Sequence, residues 1–539
     1  MNEKLTSSNA RRWLLVVLIG GISFASGGWL LHGTDTRAAP SMGGDQLFEQ
    51  VLGAVRQYYV DSLPNDTLMS RAAHGLLYTL GDPYSTLLEG EDYRQLTEQT
   101  TGNYGGLGIQ IDVRDGAIVV VAPLPQTPAE RAGIEAGDQI VAIDGKTTSG
   151  FSQDDALKTL RGEPGTSVNL QVRRPGLQQL LPFKVTRETI HSRSVQTGTM
   201  LDDRVGLIQL NPVSETSATE LRQEIERLRK SGMKALILDL RGNPGGLLDQ
   251  GVAVSDLFLD EGQQIVSTRG RAEGMSRSFA DEHEQRWPEM PVAVLVNQWS
   301  ASAAEIIAGA LQDNDRAVVV GVPTFGKGLV QSLFRLDRNR ALKLTTARWY
   351  TPSGRSIQRD LSSEEEQVRG AEERAGGLDQ AAIDSLPTHR TISGRIVRGG
   401  GGIVPDRVVT GDTVTTGERD FLRELGGGIS DYRDALVSTA IAIKERGLVS
   451  NQGFQVTDQM RQMVFDHLAR NDVNLTDEAK QGGRKLIDEW LSYEISRYVF
   501  GREVELRRRA RDDNQVSTAL ELLQKAESPA ALMAEIAQR

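Results

Sequence analysis

Apolar residues spaced three and four apart in "LFEQVLGAVRQYYV" and "LMSRAAHGLLYTL" predict helices over residues 43–100, with "GDPYS" breaking the run. Near residue 101 the pattern shortens into β runs, "LGIQIDV", "AIVVVAPL", "QIVAIDG" and "SVNLQVRR", with one short helix, "SQDDALKTL". These make a small, mostly-β unit over 101–188. From 189 to 417 the pattern is α/β. "VGLIQL", "KALILDL", "VAVLVN", "AVVVGV", "LVQSLFRL" and "ALKLTTARWYTP" read as strands, and "SATELRQEIERLRKSG" and "SAAEIIAGALQD" as helices. Residues 361–387 read as an exposed, charged insertion, and 418–539 as a polar, helix-rich extension. No internal repeat is present in the 539 residues.

The N-terminus adds a location. Residues 13–31 carry no charge, enough to cross the hydrocarbon layer as a helix, and follow Lys4, Arg11 and Arg12 in the 1–12 segment. Basic residues stay on the cytoplasmic side. The expectation is therefore a membrane anchor, or a signal segment cleaved near "TRAAPS", with the rest exported to the periplasmic or extracytoplasmic side.

Composition removes several function classes. Apolar residues at 39% and charged residues at 25% suit a globular chain of several units. The formal charge of −11 disfavours nucleic acid as a partner, because a phosphate backbone demands a cationic face. With no cysteine there is no disulfide, thiolate site or cysteine nucleophile. The six histidines form no HxxxH or HxH pair, so neither a metal nor a cofactor is expected.

"GVPTFGKG", residues 321–328, has the spacing of a phosphate-binding loop, but Gly328 stands where a magnesium-ligating Ser or Thr is needed. Such a loop must also open a helix, and "LVQSLFRL" alternates like a strand. Lys327 reads better as a base. "NQWSAS", residues 297–302, joins a buried strand to a helix, and one of Ser300 and Ser302 would cap that helix. The other would hold its hydroxyl near backbone amides that stabilise negative charge. A lysine made neutral by an apolar site could take its proton, with Gly326 and Gly328 as the small residues that let it approach that serine. "DLRGNPGG", residues 239–246, adds a turn with little side-chain bulk, open to a substrate carbonyl.

"VNQWSASAAEIIAGALQD", "VGVPTFGKGLVQ", "LILDLRGNPGG" and "GGGGIVPD" together resemble the carboxyl-terminal processing (tail-specific) serine proteases. "YGGLGIQIDV" and "PAERAGIEAGDQIVAIDGKT" resemble the PDZ domain those enzymes carry, and the likeness spans roughly residues 45–410. It implies a multidomain α/β fold with a crotonase/ClpP-like protease core, a serine endopeptidase activity, and protein or peptide substrates with accessible C-termini. It implies Ser302 as nucleophile, Lys327 as base and Gln331 as the residue orienting that base. The oxyanion would be held by the Ala303 N–H and by that of Gly245 or Gly246. Glu305 and Asp313 are architectural by the same likeness, and Ala304 departs from the family without touching the reacting groups. The PDZ loop Gly105, Gly106, Leu107, Gly108 and Ile109 would capture a C-terminal carboxylate, with Leu107 and Ile109 lining its apolar pocket. Arg161 would couple peptide occupancy to the protease core. A catalytically silent PDZ scaffold or chaperone and a crotonase-like acyl-CoA enzyme are the alternatives. The C-terminal helices are expected to serve a homo-oligomer or an adaptor.

Overall fold

A computed structural model describes residues 43–114, 117–359, 370, 380–412 and 414–537. The 1–12 segment, the anchor stretch 13–31 and most of the 361–387 insertion lie outside the described residues. Among the described residues no helix is long and apolar enough to cross a membrane.

The first compact unit ends at Leu76 and contributes the helix Gly44–Tyr58 and most of Asn65–Tyr78. The second, Leu77–Arg539, holds everything else. Its centre is a six-stranded sheet in the order Thr199–Met200, Val205–Gln209, Ala235–Asp239, Val292–Val296, Val318–Gly321 and Arg407–Val408. Every neighbour pair but the first is parallel. Parallel strands covered on both faces read as unbroken apolar runs. Ala235–Asp239, Val292–Val296 and Val318–Gly321 are buried at every position.

One face of this sheet packs against three helices. Leu221, Ile225 and Leu228 come from Ser217–Lys230, Val254 from Leu248–Asp256, and Ile306, Ile307 and Leu311 from Ala303–Asp313. The other face is covered from the far end of the chain. Val516, Ala519, Leu522 and Leu523 of the helix Asn514–Lys525, with Leu532 of Pro529–Ala537, pack on Val205, Ala235, Ile237, Ala293, Leu295, Val318 and Val320. The extension expected from residue 418 onward is therefore not one appended body. Its last two helices complete the packing of the central sheet. Its earlier helices build a separate apolar cluster around Phe421, Tyr432, Leu436, Val464, Ile487 and Leu491.

A second, antiparallel sheet flanks the core. The strand Thr86–Glu89 pairs with Arg340–Tyr350, which also pairs with Gln264–Gly270 and Leu329–Arg335. The stretch expected to be helical over 43–100 thus contains a strand after "GDPYS". Thr86–Glu89 gains its partner 250 residues away, which no local period signals. The sheet of the small β unit runs Ile109–Arg114, Ala117–Pro123, Gln139–Ile143, Ser167–Arg173 and Leu181–Thr186, leaving Ile109–Arg114 at its edge.

Candidate active site

Three neighbouring parallel strands end at the same edge of the core sheet, and each runs into one of the singled-out loops. Open parallel sheets place their sites at these carboxyl ends. Ala235–Asp239 leads into 240–247, Val292–Val296 into 297–302, and Val318–Gly321 into 322–328. The loops are stitched together through backbone groups. The Ala301 N–H donates to Asn243 O at 2.9 Å, the Gly242 N–H to Asn297 Oδ1 at 2.9 Å, and the Phe325 N–H to Ser300 O at 3.0 Å.

The two candidate serines separate cleanly. Ser300 is fully buried, donates to Leu240 O at 2.8 Å and accepts from the Asn297 N–H at 3.0 Å. It fastens loops together and does not cap the helix. Ser302 is half-buried and occupies the N-cap position of Ala303–Asp313 with φ +54° and ψ −116°. A positive φ at a residue with a Cβ costs about 1–3 kcal/mol and persists where the surroundings impose it. Here a sharp strand-to-helix turn lifts the serine to the end of the sheet, as in a nucleophile elbow.

Glu305 joins the serine to the lysine loop. Its fully buried carboxylate accepts the Ser302 N–H at 2.8 Å, the Gly326 N–H at 2.7 Å, the Lys327 N–H at 2.9 Å and the Thr324 hydroxyl at 2.5 Å. Burial pushes this carboxyl up, and the four donors pull against that. Asp313, at the other end of the same helix, pairs with the equally buried Arg355 at 2.6 Å. Both acidic residues are architectural, as expected.

The lysine loop opens the strand Leu329–Arg335 and no helix, so the phosphate-loop geometry is absent there. Lys327 Nζ lies 4.5 Å from the centroid of the Tyr84 ring. Burial pushes the amine down to about 8, Lys343 adds to this, and Glu305 and Asp82 oppose it. Asp82 would be raised by its own burial. Bonds from Ser85, Thr345 and the Tyr84 N–H, with the Lys327 charge, hold it below the usual carboxylate range. Among the described residues no hydrogen bond joins Ser302 Oγ to Lys327 Nζ.

Two sequence expectations change at this point. Among the described residues Gln331 makes no hydrogen bond to the lysine. Its Nε2 reaches Thr345 Oγ1 at 3.4 Å, beside a bulge that leaves Thr346 of the partner strand Arg340–Tyr350 unpaired. The groups around the amine are instead Tyr84 and Asp82 of "GDPYS", which sequence reasoning passed over as a helix breaker. The glycines beside Lys327 also have another reason. A Cβ on Gly326 would press on Arg359 and Gly402, and one on Gly328 would sit 2.9 Å from the Gln358 N. They admit the 358–359 and 402 backbone, not the approach to Ser302.

The glycine turn closes against the serine. A Cβ at Gly245 (φ +90°) would lie 2.7 Å from Ser302 Cβ and 2.8 Å from the Ala303 N. The Gly245 N–H is already given to Asn243 Oδ1 at 2.8 Å. Among the described residues the N–H groups of Gly246 and Ala303 carry no hydrogen bond. Two free donors therefore flank a strained serine. This arrangement suits acyl transfer through a tetrahedral oxyanion.

The chain matches the peptidase family S41 over residues 204–364 and the PDZ domain over 119–174. It is 40% identical over 315 residues to a carboxy-terminal-processing protease of Bartonella bacilliformis, covering 58% of this chain and 72% of that one. The chain belongs to the carboxy-terminal processing proteases. This protease is also 37% identical over 317 residues to the carboxy-terminal processing protease CtpA of Bacillus subtilis, covering 58% of this chain and 67% of that protein. A solved photosystem II D1 C-terminal processing protease is 26% identical, with TM-score 0.36, covering 68% of this chain and 94% of that one. Family membership makes the protein a serine-type peptidase with a multidomain α/β fold. It removes the silent scaffold and the acyl-CoA enzyme.

In the protease's PDZ unit, Leu107 is buried in the domain core rather than lining an open pocket, and Ile109 packs partly against that core. Gly108 has φ +72°, and a Cβ there would strike Thr127 at 2.3 Å. Among the described residues the N–H groups of Leu107 and Gly108 carry no hydrogen bond. Gly105 and Gly106 belong to the strand Asn103–Gly106, which pairs with Glu188–His191 outside the PDZ sheet. Arg161, at the end of the helix Gln153–Leu160, reaches Glu98 at 2.8 Å and stacks 4.6 Å over the Tyr104 ring.

Proposed function

We propose that Ser302 attacks the scissile carbonyl, that Lys327 takes its proton as a neutral amine, and that Ala303 and Gly246 hold the oxyanion. Lys327 then gives the proton to the leaving amine, and water releases the acyl group from Ser302. The observation that carries this reading is the strained Ser302 turn flanked by two unbonded N–H groups. Glu305 supports it by fixing the serine and lysine loops on one carboxylate. For proton transfer the Lys327 amine must leave the Tyr84 face and turn to Ser302 Oγ. A base titrating at about 8 gives cleavage that rises with pH through that value and falls about tenfold per unit below it. Lys343→Met removes a like charge, so the rise should move to higher pH. An unchanged profile in that variant would dissociate Lys327 from the titration.

Substrate C-termini are recognised, in this reading, at the edge strand Ile109–Arg114, with the free Leu107 and Gly108 N–H groups taking the carboxylate. Arg161 passes occupancy to the helix Glu91–Thr101 through Glu98. The segment preceding that helix carries Tyr84 and Asp82 at the lysine. An unstructured substrate with a free C-terminus should be cleaved at least several-fold faster than its C-terminal amide. Arg161→Ala should lower cleavage of the free acid while peptide binding to the Ser302→Ala background stays unchanged. Equal rates for acid and amide would refute C-terminal recognition.

The proposed location is extracytoplasmic, with residues 13–31 as anchor or signal. Lys4, Arg11 and Arg12 ahead of the uncharged stretch support it. The exposed Ile429, Ile441 and Leu448 support a partner or second copy at the helices after residue 418.

A further inference from the structure

Away from the serine, the helix Leu248–Asp256 ends in an unfavourable concentration of negative charge. Asp256 is its last residue, where the unpaired carbonyls already present partial negative charge and a cation is preferred. The fold brings Asp281 and His283 to the same place from the segment after the strand Arg277–Ala280. Ligand atoms of all three residues lie within 4.8 Å of one another. His283 Nδ1 is 3.2 Å from Asp256 Oδ2, and the His283 N–H donates to Asp281 Oδ1 at 2.8 Å.

Asp281 makes the cluster unusual. It is only 3% exposed, and among the described residues its Oδ2 is buried with no hydrogen-bond donor. A buried, unsatisfied carboxylate oxygen facing a second carboxylate is costly on both counts. A positive charge among the three groups would satisfy the orphan oxygen and remove the repulsion together.

We propose that Asp256, Asp281 and His283 form a structural site for one divalent cation of the zinc or manganese class. Two carboxylate oxygens and one imidazole nitrogen are ligands that zinc and manganese accept, with water completing the shell. With the three ligand atoms within 4.8 Å of one another, a cation among them sits at most about 2.8 Å from each, and rotation of the exposed His283 side chain can shorten that distance. The site lies about 13 Å along the helix from the glycine turn and takes no part in the acyl-transfer chemistry. Its effect is to pin the 281–287 segment to the end of the helix that packs through Gly251 against Ala303. No local spacing signals it, since the histidine of the site has no histidine partner nearby in the chain.

The test uses the full chain, stripped with EDTA and then freed of chelator. Titration with manganese chloride, followed through the EPR signal of free Mn²⁺, should show one saturable ion per chain. Zinc chloride near a hundredfold excess over its dissociation constant should raise the unfolding midpoint by about 5 °C. Asp281→Asn and His283→Ala should each weaken manganese binding by at least about tenfold. Asp281→Asn should also raise the midpoint of the metal-free protein, because the facing charges are gone. His283 is exposed, so its alanine variant keeps the test valid if Asp281→Asn fails to fold. Absence of saturable binding, or binding undiminished in both variants, would overturn the site.

Discussion

Ser302→Ala abolishes peptide-bond cleavage, with a fall of roughly 10⁴-fold or more in rate at saturating substrate and little change in peptide affinity. The expectation rests on where the hydroxyl stands. Ser302 is held at φ +54° by a turn whose Glu305 contact survives the substitution, since that contact is made by the backbone N–H. Alanine therefore removes the nucleophile and leaves the turn. Lys327→Ala should cost a similar factor, because it removes the proposed base while the backbone N–H at that position keeps its bond to Glu305. The control is Ser300→Ala. That serine bonds Leu240 O and the Asn297 N–H, so its loss should lower the unfolding midpoint and reduce cleavage far less. Both are read by cleavage of an unstructured protein alongside thermal unfolding. If Ser302→Ala cleaved at the parent rate while Ser300→Ala did not, the assignment of the two serines would be reversed.

Removing residues 514–539 should leave a protein that does not fold to its native core. The helix Asn514–Lys525 and its successor bury Val516, Leu522, Leu523 and Leu532 against the outer face of the central sheet. Each such side chain contributes about 1.5–3 kcal/mol on burial. Four of them match the whole stability of an ordinary domain, about 5–15 kcal/mol. The truncation would also bare apolar positions on Ala235–Asp239, Val292–Val296 and Val318–Gly321, the strands that carry all three active-site loops. Arg241 would lose its 2.7 Å ion pair to Asp513 if the cut fell one residue earlier. Aggregation and loss of a cooperative unfolding transition are the expected readouts. Leu523→Ala is the graded version, costing about 2–5 kcal/mol and lowering the midpoint by roughly 10 °C. A soluble, cooperatively unfolding truncation would show that these helices are dispensable.

These two expectations differ in where they could first be seen. The serine loop, the lysine loop and the glycine turn were legible in the chain because each is local. A buried strand reads as an apolar run, a tight turn as Asn-Pro-Gly-Gly, and a helix start as a small polar residue before a 3.6-residue period. The same locality placed the PDZ strands and the helices Ser217–Lys230 and Ala303–Asp313.

What the tertiary structure alone decided involves groups brought together from distant positions. Ser300 and Ser302 look alike in sequence, and they part only when Leu240 O claims one hydroxyl and a positive φ lifts the other. Gln331 was expected at the lysine four residues before it, but its side chain bonds Thr345 beside a bulge in the partner strand. Tyr84 reaches Lys327 across more than 240 residues, and Asp281 meets Asp256 at a helix end. The final helices look like a polar appendage because their apolar faces match a sheet formed some 200–300 residues earlier. A sequence period records which side of an element is apolar; only the assembled fold determines what covers that side.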